Sequence, residues 1–143
     1  MQLLFLGSLF MTVGARAQST DSAQIKEAAL NYVEGYYNKD VGRVTKGLSP
    51  ELVKRIVVKD PSGDAIQTMG FSYFALITGK NTNTNLLNPD QPFKADVIIY
   101  EIGSNIAAAK VVTNKFKFVD YLQLGRVNGE WKVINVLWEY TSK

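Results

Sequence analysis

Histidine and cysteine are both absent from the 143-residue chain. Without histidine it lacks the commonest general base near neutral pH, the commonest zinc ligand and every Ser-His or Cys-His pairing. Without cysteine it has no disulfide, no thiolate nucleophile or metal site, and no residue to carry the lipid of a bacterial lipoprotein. There is no Gly-rich phosphate loop, metal-ligand spacing or nucleophile elbow, so neither metal nor cofactor is expected. Sixteen basic residues against thirteen acidic ones give a formal charge of +3. They are interspersed rather than clustered, which argues against nucleic acid as a partner.

What the chain does have begins with an address. Leu3 to Val13 form an apolar run of signal-sequence length, shorter than the roughly 20 residues of a membrane crossing. Ala15-Arg16-Ala17 follows as a small-x-small cleavage site. Residues 1–17 are therefore expected to be a signal peptide and 18–143 a single mature domain, with a bacterial periplasm as the setting and no membrane partner after cleavage. The departure from the template is that no Lys or Arg precedes the apolar run.

From Asp21 the pattern is helical, with Ile25, Ala28, Ala29, Tyr32, Val33 and Tyr36 at three- and four-residue spacing. Asp40 is placed to cap a short second helix carrying Val41, Val44 and Leu48. Ser49-Pro50-Glu51 reads as the start of a third helix, with Leu52, Val53 and Ile56 behind it. Asp60 to Asp64 is a turn, and Met69 to Ile77 marks a helix ending at Gly79. Lys80 to Pro92 is a long Asn- and Thr-rich loop of the kind that often forms a lid or binding loop. Four β-rich runs follow: Phe93 to Ile102, Ile106 to Thr113, Lys115 to Val127 and Trp131 to Tyr140, the last two joined by the hairpin signal Asn128-Gly129. The expected fold is α+β, with N-terminal helices packed on an antiparallel sheet. Strict alternation puts Trp131, Val133 and Leu137 on one face of the last strand and Ile134, Val136, Trp138 and Tyr140 on the other. Both faces are then apolar, and a homodimer through the face bearing Ile134, Val136 and Trp138 is the expected covering.

Phe118-Val119-Asp120-Tyr121-Leu122-Gln123-Leu124, followed by Val127-Asn128-Gly129-Glu130-Trp131-Lys132-Val133-Ile134-Asn135-Val136-Leu137-Trp138, resembles the closing hairpin of the putative lumazine-binding branch of the nuclear-transport-factor-2-like superfamily. Tyr32-Val33-Glu34-Gly35-Tyr36-Tyr37 with Asp40 is similar to its first helix. The resemblance implies a cone, in which helices fold against a strongly curved sheet around a central cavity, commonly as a dimer. The superfamily includes isomerases, dehydratases, polyketide cyclases and pure binding domains, so the fold does not fix the function. Dehydratase relatives using a His-Asp pair find no match here.

The candidate ligand-binding residues are Tyr32, Tyr36, Asp96, Phe118, Asp120, Trp131 and Asn135. Tyr32 and Tyr36 lie one helical turn apart, as core rings or with hydroxyls reaching a cavity. Asp120 shares strand parity with Phe116, Phe118, Leu122 and Leu124; either its carboxylate faces an apolar cavity or a bulge turns it outward. Asn135, on the face of Trp131, can orient a ligand or make a cross-strand bond. Counting back from Asn128-Gly129 pairs Val127 with Glu130 and places Leu122 near Asn135 and Asp120 near Leu137, which makes Asn135 the nearest donor to Asp120. Asp96 is a second strand carboxylate, paired with Asp120 only if geometry brings the two together. Three functional readings stand: a non-catalytic module holding a small organic ligand, which the sequence favours; an isomerase or cyclase with an Asp base and a Tyr donor; and a dimeric interaction domain with a filled cavity.

Overall fold

The computed structural model describes residues 12–141, so the expected leader at 1–17 lies largely outside the described residues. The element order is α1 (Thr12–Asn38), α2 (Val41–Gly47), β1 (Leu48–Val58), β2 (Ala65–Gly70), α3 (Phe71–Gly79), β3 (Ala95–Ile102), β4 (Ile106–Thr113), β5 (Phe118–Val127) and β6 (Glu130–Tyr140). The strands form one curled, open-edged sheet in the order β2-β1-β6-β5-β4-β3, with the helices against one face.

The first helix forms where its apolar stripe requires it. Ile25, Ala28, Ala29, Tyr32 and Val33 are all buried against the sheet. Asp40 caps α2 by accepting from the Arg43 amide at 2.9 Å. The two helices meet closely at Gly47, where an added Cβ would sit 2.5 Å from the Ala28 carbonyl oxygen. Only glycine permits that approach.

The segment from Ser49 to Ile56 is a strand, not the expected third helix. The residues read as a helix start, Ser49-Pro50-Glu51, fall where β1 shifts register against β6 between Leu48 and Val53, an irregularity at which proline's missing N–H does no harm. Beyond it Leu52, Lys54 and Ile56 alternate inward. A lysine at the middle inward position masks the period-2 pattern. β1 runs parallel to β6 and antiparallel to β2, so the sheet is mixed rather than wholly antiparallel. β2 was also missed, because it is an exposed edge strand with little apolar alternation.

β3 to β6 form the expected meander. Asn128 and Gly129 both take positive φ, 52° and 82°, as a type I′ hairpin turn requires. Val127 pairs with Glu130 as counted, but a bulge leaves Ile134 unpaired between Leu124↔Val133 and Gln123↔Asn135. That extra residue inverts the parity of the rest of β6. Val136 and Trp138 therefore turn inward with Trp131 and Val133, and Val136 is 2 % exposed in the core. The last strand is not apolar on two faces, and Val136 and Trp138 are not available to a partner. Outward apolar residues of the sheet include Leu137, Tyr121 and Tyr100, with Ile98 and Ile106 also exposed.

The loop at Lys80 to Pro92 is tied down at many points. Asn81 and Asn83 donate to the Tyr36 and Tyr37 carbonyls at 2.9 and 2.8 Å. Lys115, fully buried, donates its ammonium to the backbone carbonyls of Asn88 (2.6 Å), Pro89 (3.2 Å) and Gln91. Three of the loop's asparagines take positive φ, a conformation asparagine tolerates better than most residues. This is an anchored wall rather than a free lid.

Candidate functional site

At one end of the cone the sheet and helices do not close on each other. They leave an aromatic-walled cavity of ≈110 Å³. Tyr32 and Tyr36 come from α1, Phe74 and Ile77 from α3, Phe118 and Asp120 from β5, Trp138 from β6, and Lys54 from β1. The rings pack in a continuous series: Tyr36 stacks on Phe74 at 5.4 Å, Tyr36 meets Phe116 at 5.5 Å, Phe116 stacks on Phe118 at 5.0 Å, and Phe118 meets Trp138 edge-on at 5.6 Å. Such contacts stabilise a rigid wall whose residues come from distant parts of the chain.

The charge at this site is held by strand order. β1 and β5 are not neighbours, because β6 lies between them. At about 4.8 Å per strand, roughly 9.6 Å separates the two backbones, a gap that a lysine reaching toward an aspartate can bridge. Lys54 pairs with Val136 across the sheet and Asp120 with Trp138. The lysine chain therefore runs diagonally over β6, and its Nζ donates to Asp120 Oδ1 at 2.5 Å and to the Tyr32 hydroxyl oxygen at 2.7 Å. The same Nζ lies 4.8 Å from the Trp138 ring centroid and 5.6 Å from that of Phe118. Side-chain exposures of 7 % and 1 % make this a buried ion pair.

Burial pushes the Lys54 ammonium below its ordinary range, with the charge and hydrogen bond of Asp120 opposing part of that shift. The Tyr32 hydroxyl is pushed well above its ordinary range, first by burial and then by the Asp120 charge and a hydrogen bond to it. Tyr36 is raised as well, by burial and by the nearby Tyr140. The tyrosines of the site are therefore neutral at ordinary pH.

Of the seven residues singled out from the sequence, the structure brings four to this cavity: Tyr32, Tyr36, Phe118 and Asp120. Asp96 lies on the outward, exposed side of β3, opposite Val112, so it forms no acid and base pair with Asp120. Asn135 faces outward too, donating to Gln123 Oε1 at 3.1 Å, because the bulge at Ile134 moved the register by one. It is not the donor to Asp120. Trp131 is buried elsewhere along the sheet, where its indole N–H donates to Asp21 at 3.2 Å and the Arg126 guanidinium lies over its ring. A larger groove of ≈360 Å³ runs past Trp131, Gln24, Asn31 and Lys132, but it is open and no buried charge converges on it. The residue missed from the sequence is Lys54. Its signal was the alternation Leu52-Lys54-Ile56, legible only once the segment is read as a strand.

The comparisons with known proteins agree with this geometry. Residues 20–139 match the model of a family described as putative lumazine-binding. Among solved structures, an NTF2-like protein of unknown function from Shewanella baltica OS155 is similar at 18 % identity, over 96 % of this chain and 100 % of that one, with a TM-score of 0.69. A ketosteroid isomerase-like protein from Erwinia carotovora atroseptica SCRI1043 is similar at 13 % identity, over 85 % and 96 %, with a TM-score of 0.58. The β subunit of a putative aromatic-ring-hydroxylating dioxygenase from Novosphingobium aromaticivorans DSM 12444 is similar at 7 % identity, over 89 % and 93 %, with a TM-score of 0.59. At these identities the likeness is one of fold. No curated protein sequence matches the chain.

Two measurements probe the site. Lys54→Met and Asp120→Leu should each destabilise the fold by about 3–5 kcal/mol, because each strands an uncompensated charge, while the double variant should be close to wild type. Denaturant unfolding of all four proteins gives the cycle, and additive losses would show that the pair is not coupled. A raised folded pKa for Tyr32 means that its contribution is complete below the unfolded value of about 10 and is lost as pH climbs above it. Tyr32→Phe should leave the phenolate titration of the folded protein unchanged and remove one of the seven tyrosines from the step that accompanies alkaline unfolding. Loss of amplitude before that step would place Tyr32 within reach of solvent.

Proposed function

The chain belongs to the putative lumazine-binding family of the nuclear-transport-factor-2-like superfamily, and on that premise we propose that it binds an uncharged, ring-sized organic molecule bearing a carbonyl acceptor. The observation that carries this reading is the state of the Lys54 ammonium. It has three N–H donors. Two are taken by Asp120 and Tyr32, and the remaining direction is bounded by the aromatic face of Trp138 inside the cavity. A carbonyl oxygen entering the cavity would complete that set. Among the described residues Lys54 and Asp120 are the only charged ones lining the cavity and they cancel, so an anionic or cationic ligand would be desolvated without a compensating charge.

Size narrows the class further. The ≈110 Å³ of the cavity is below the roughly 150 Å³ that holds benzene in an engineered apolar site. One ring is closer to that size than a fused bicycle such as lumazine. The reading as an Asp-base enzyme is the weaker one, because the proton nearest the Asp120 carboxylate is that of the Lys54 ammonium rather than one on a ligand. Calorimetry with benzamide and benzoate tests the proposal. Benzamide should bind, benzoate at least about tenfold more weakly, and Lys54→Met should cost benzamide roughly ten- to hundredfold, the worth of one hydrogen bond to a charged group. Equal affinity for the two probes would overturn it.

We further propose that a second copy covers the outer sheet face. Tyr100, Tyr121 and Leu137 are 57 %, 42 % and 54 % exposed on that face, a larger apolar grouping than scattered surface residues require. Tyr121→Lys should then shift the protein to monomer in sedimentation at micromolar concentration; a monomeric wild type would exclude this covering.

A further inference from the structure

We propose that Lys54 is an imine-forming lysine, whose Nζ condenses reversibly with an aldehyde carried by a ring-sized ligand in the aromatic cavity. This rests on the binding reading above and adds a covalent step to it. The structure supplies each component of the condensation. Among the described residues Lys54 is the only amine lining the cavity, and its Nζ lies 4.8 Å from the Trp138 ring centroid and 5.6 Å from that of Phe118. A planar ligand packed among those rings brings its carbonyl carbon to the nitrogen. Asp120, at 2.5 Å, is in place to take the proton that the ammonium must lose before its lone pair can attack.

The step balances without any outside reagent. Nζ gives a proton to the Asp120 carboxylate and its electron pair forms a bond to the carbonyl carbon, giving a neutral carbinolamine once a proton has passed from nitrogen to oxygen. Asp120 then returns its proton to the carbinolamine hydroxyl, the C–O bond breaks, water departs, and a protonated imine is left on Nζ. One positive charge is present at that nitrogen before and after, so the Lys54–Asp120 ion pair survives the reaction and no buried charge is stranded. The Tyr32 hydroxyl stays neutral throughout and is near enough, at 2.7 Å, to steady the nitrogen as its bonding changes. The apolar walls favour loss of water from the carbinolamine. Burial also leaves Lys54 a larger neutral fraction than a surface lysine has at the same pH.

Among the described lysines, three others that are buried or ion-paired lack this combination. Lys115 is buried, but its ammonium is wrapped by three backbone carbonyls of the 80–92 loop rather than held against a carboxylate. Lys59 pairs with Asp64 on the exposed surface. Lys132 pairs with an exposed Glu130 and has no aromatic enclosure.

The test uses the full chain at neutral pH with benzaldehyde and cyanoborohydride, followed by peptide mapping, with benzamide as the non-condensing companion probe. The expected result is one benzyl group on Lys54, clearly above any other lysine. Excess benzamide should suppress that label and leave the labelling of surface lysines unchanged. Lys54→Arg should abolish the label, because a guanidinium does not condense with the aldehyde. If benzamide binds but benzyl groups are spread evenly over the lysines, the imine is excluded and the binding reading stands. If benzamide does not bind and Lys54 is not labelled, both are excluded. The wild-type map alone is decisive should the arginine variant fail to fold.

Discussion

The ion pair between Lys54 and Asp120 is the constraint around which this end of the molecule is organised. Two opposite charges on β1 and β5 are buried on the inner face of the sheet, with β6 between them. Burying them is costly, and the cost is offset only if the geometry is good and the remaining donors are satisfied. Tyr32 on α1 supplies one acceptor and the face of Trp138 supplies a weaker one. A helix, three strands and an aromatic cluster are thereby fixed relative to one another by a single ammonium group. The same arrangement leaves the cavity lined by one positive and one negative side chain that offset each other.

A second buried lysine acts by the same chemistry on a different partner. Lys115 has no carboxylate; its ammonium gathers three backbone carbonyls of the 80–92 loop. Together with the asparagine side chains that hold the Tyr36 and Tyr37 carbonyls, this keeps a long irregular segment against the C-terminal end of α1. The stack of Tyr37 on Phe93 at 4.7 Å continues the attachment. The aromatic cavity wall therefore has a fixed outer support.

Local pattern and local chemistry made several elements readable from the chain alone. The apolar stripe of α1, the Asp40 cap of α2 and the Asn128-Gly129 turn each depend on residues within a few positions of one another. Four of the strands were visible because β-branched and aromatic residues cluster in them. The family could be recognised from the closing hairpin, and Tyr32, Tyr36 and Asp120 stood out because a polar group on an apolar stripe is visible in one dimension. Excluding histidine and cysteine chemistry needed only the composition.

Tertiary structure decided the rest, for reasons of physics that act across the chain. Whether Ser49 to Ile56 is helix or strand depends on β6 and β2 offering hydrogen bonds on either side, and the inward lysine that hides its alternation is tolerated only because Asp120 lies 66 residues away in sequence and 2.5 Å away in space. The inward turn of Val136 and Trp138 and the outward turn of Asn135 follow from one unpaired residue at Ile134, which simple alternation does not anticipate. Asp96 and Asp120 look equivalent in sequence, yet pleat and sheet position put one in solvent and the other in the core. The sequence by itself determined the class of fold and half of the site, because those rest on local periodicity. Only the folded sheet decided which charge is paired with which, because that pairing exists through strand order and burial.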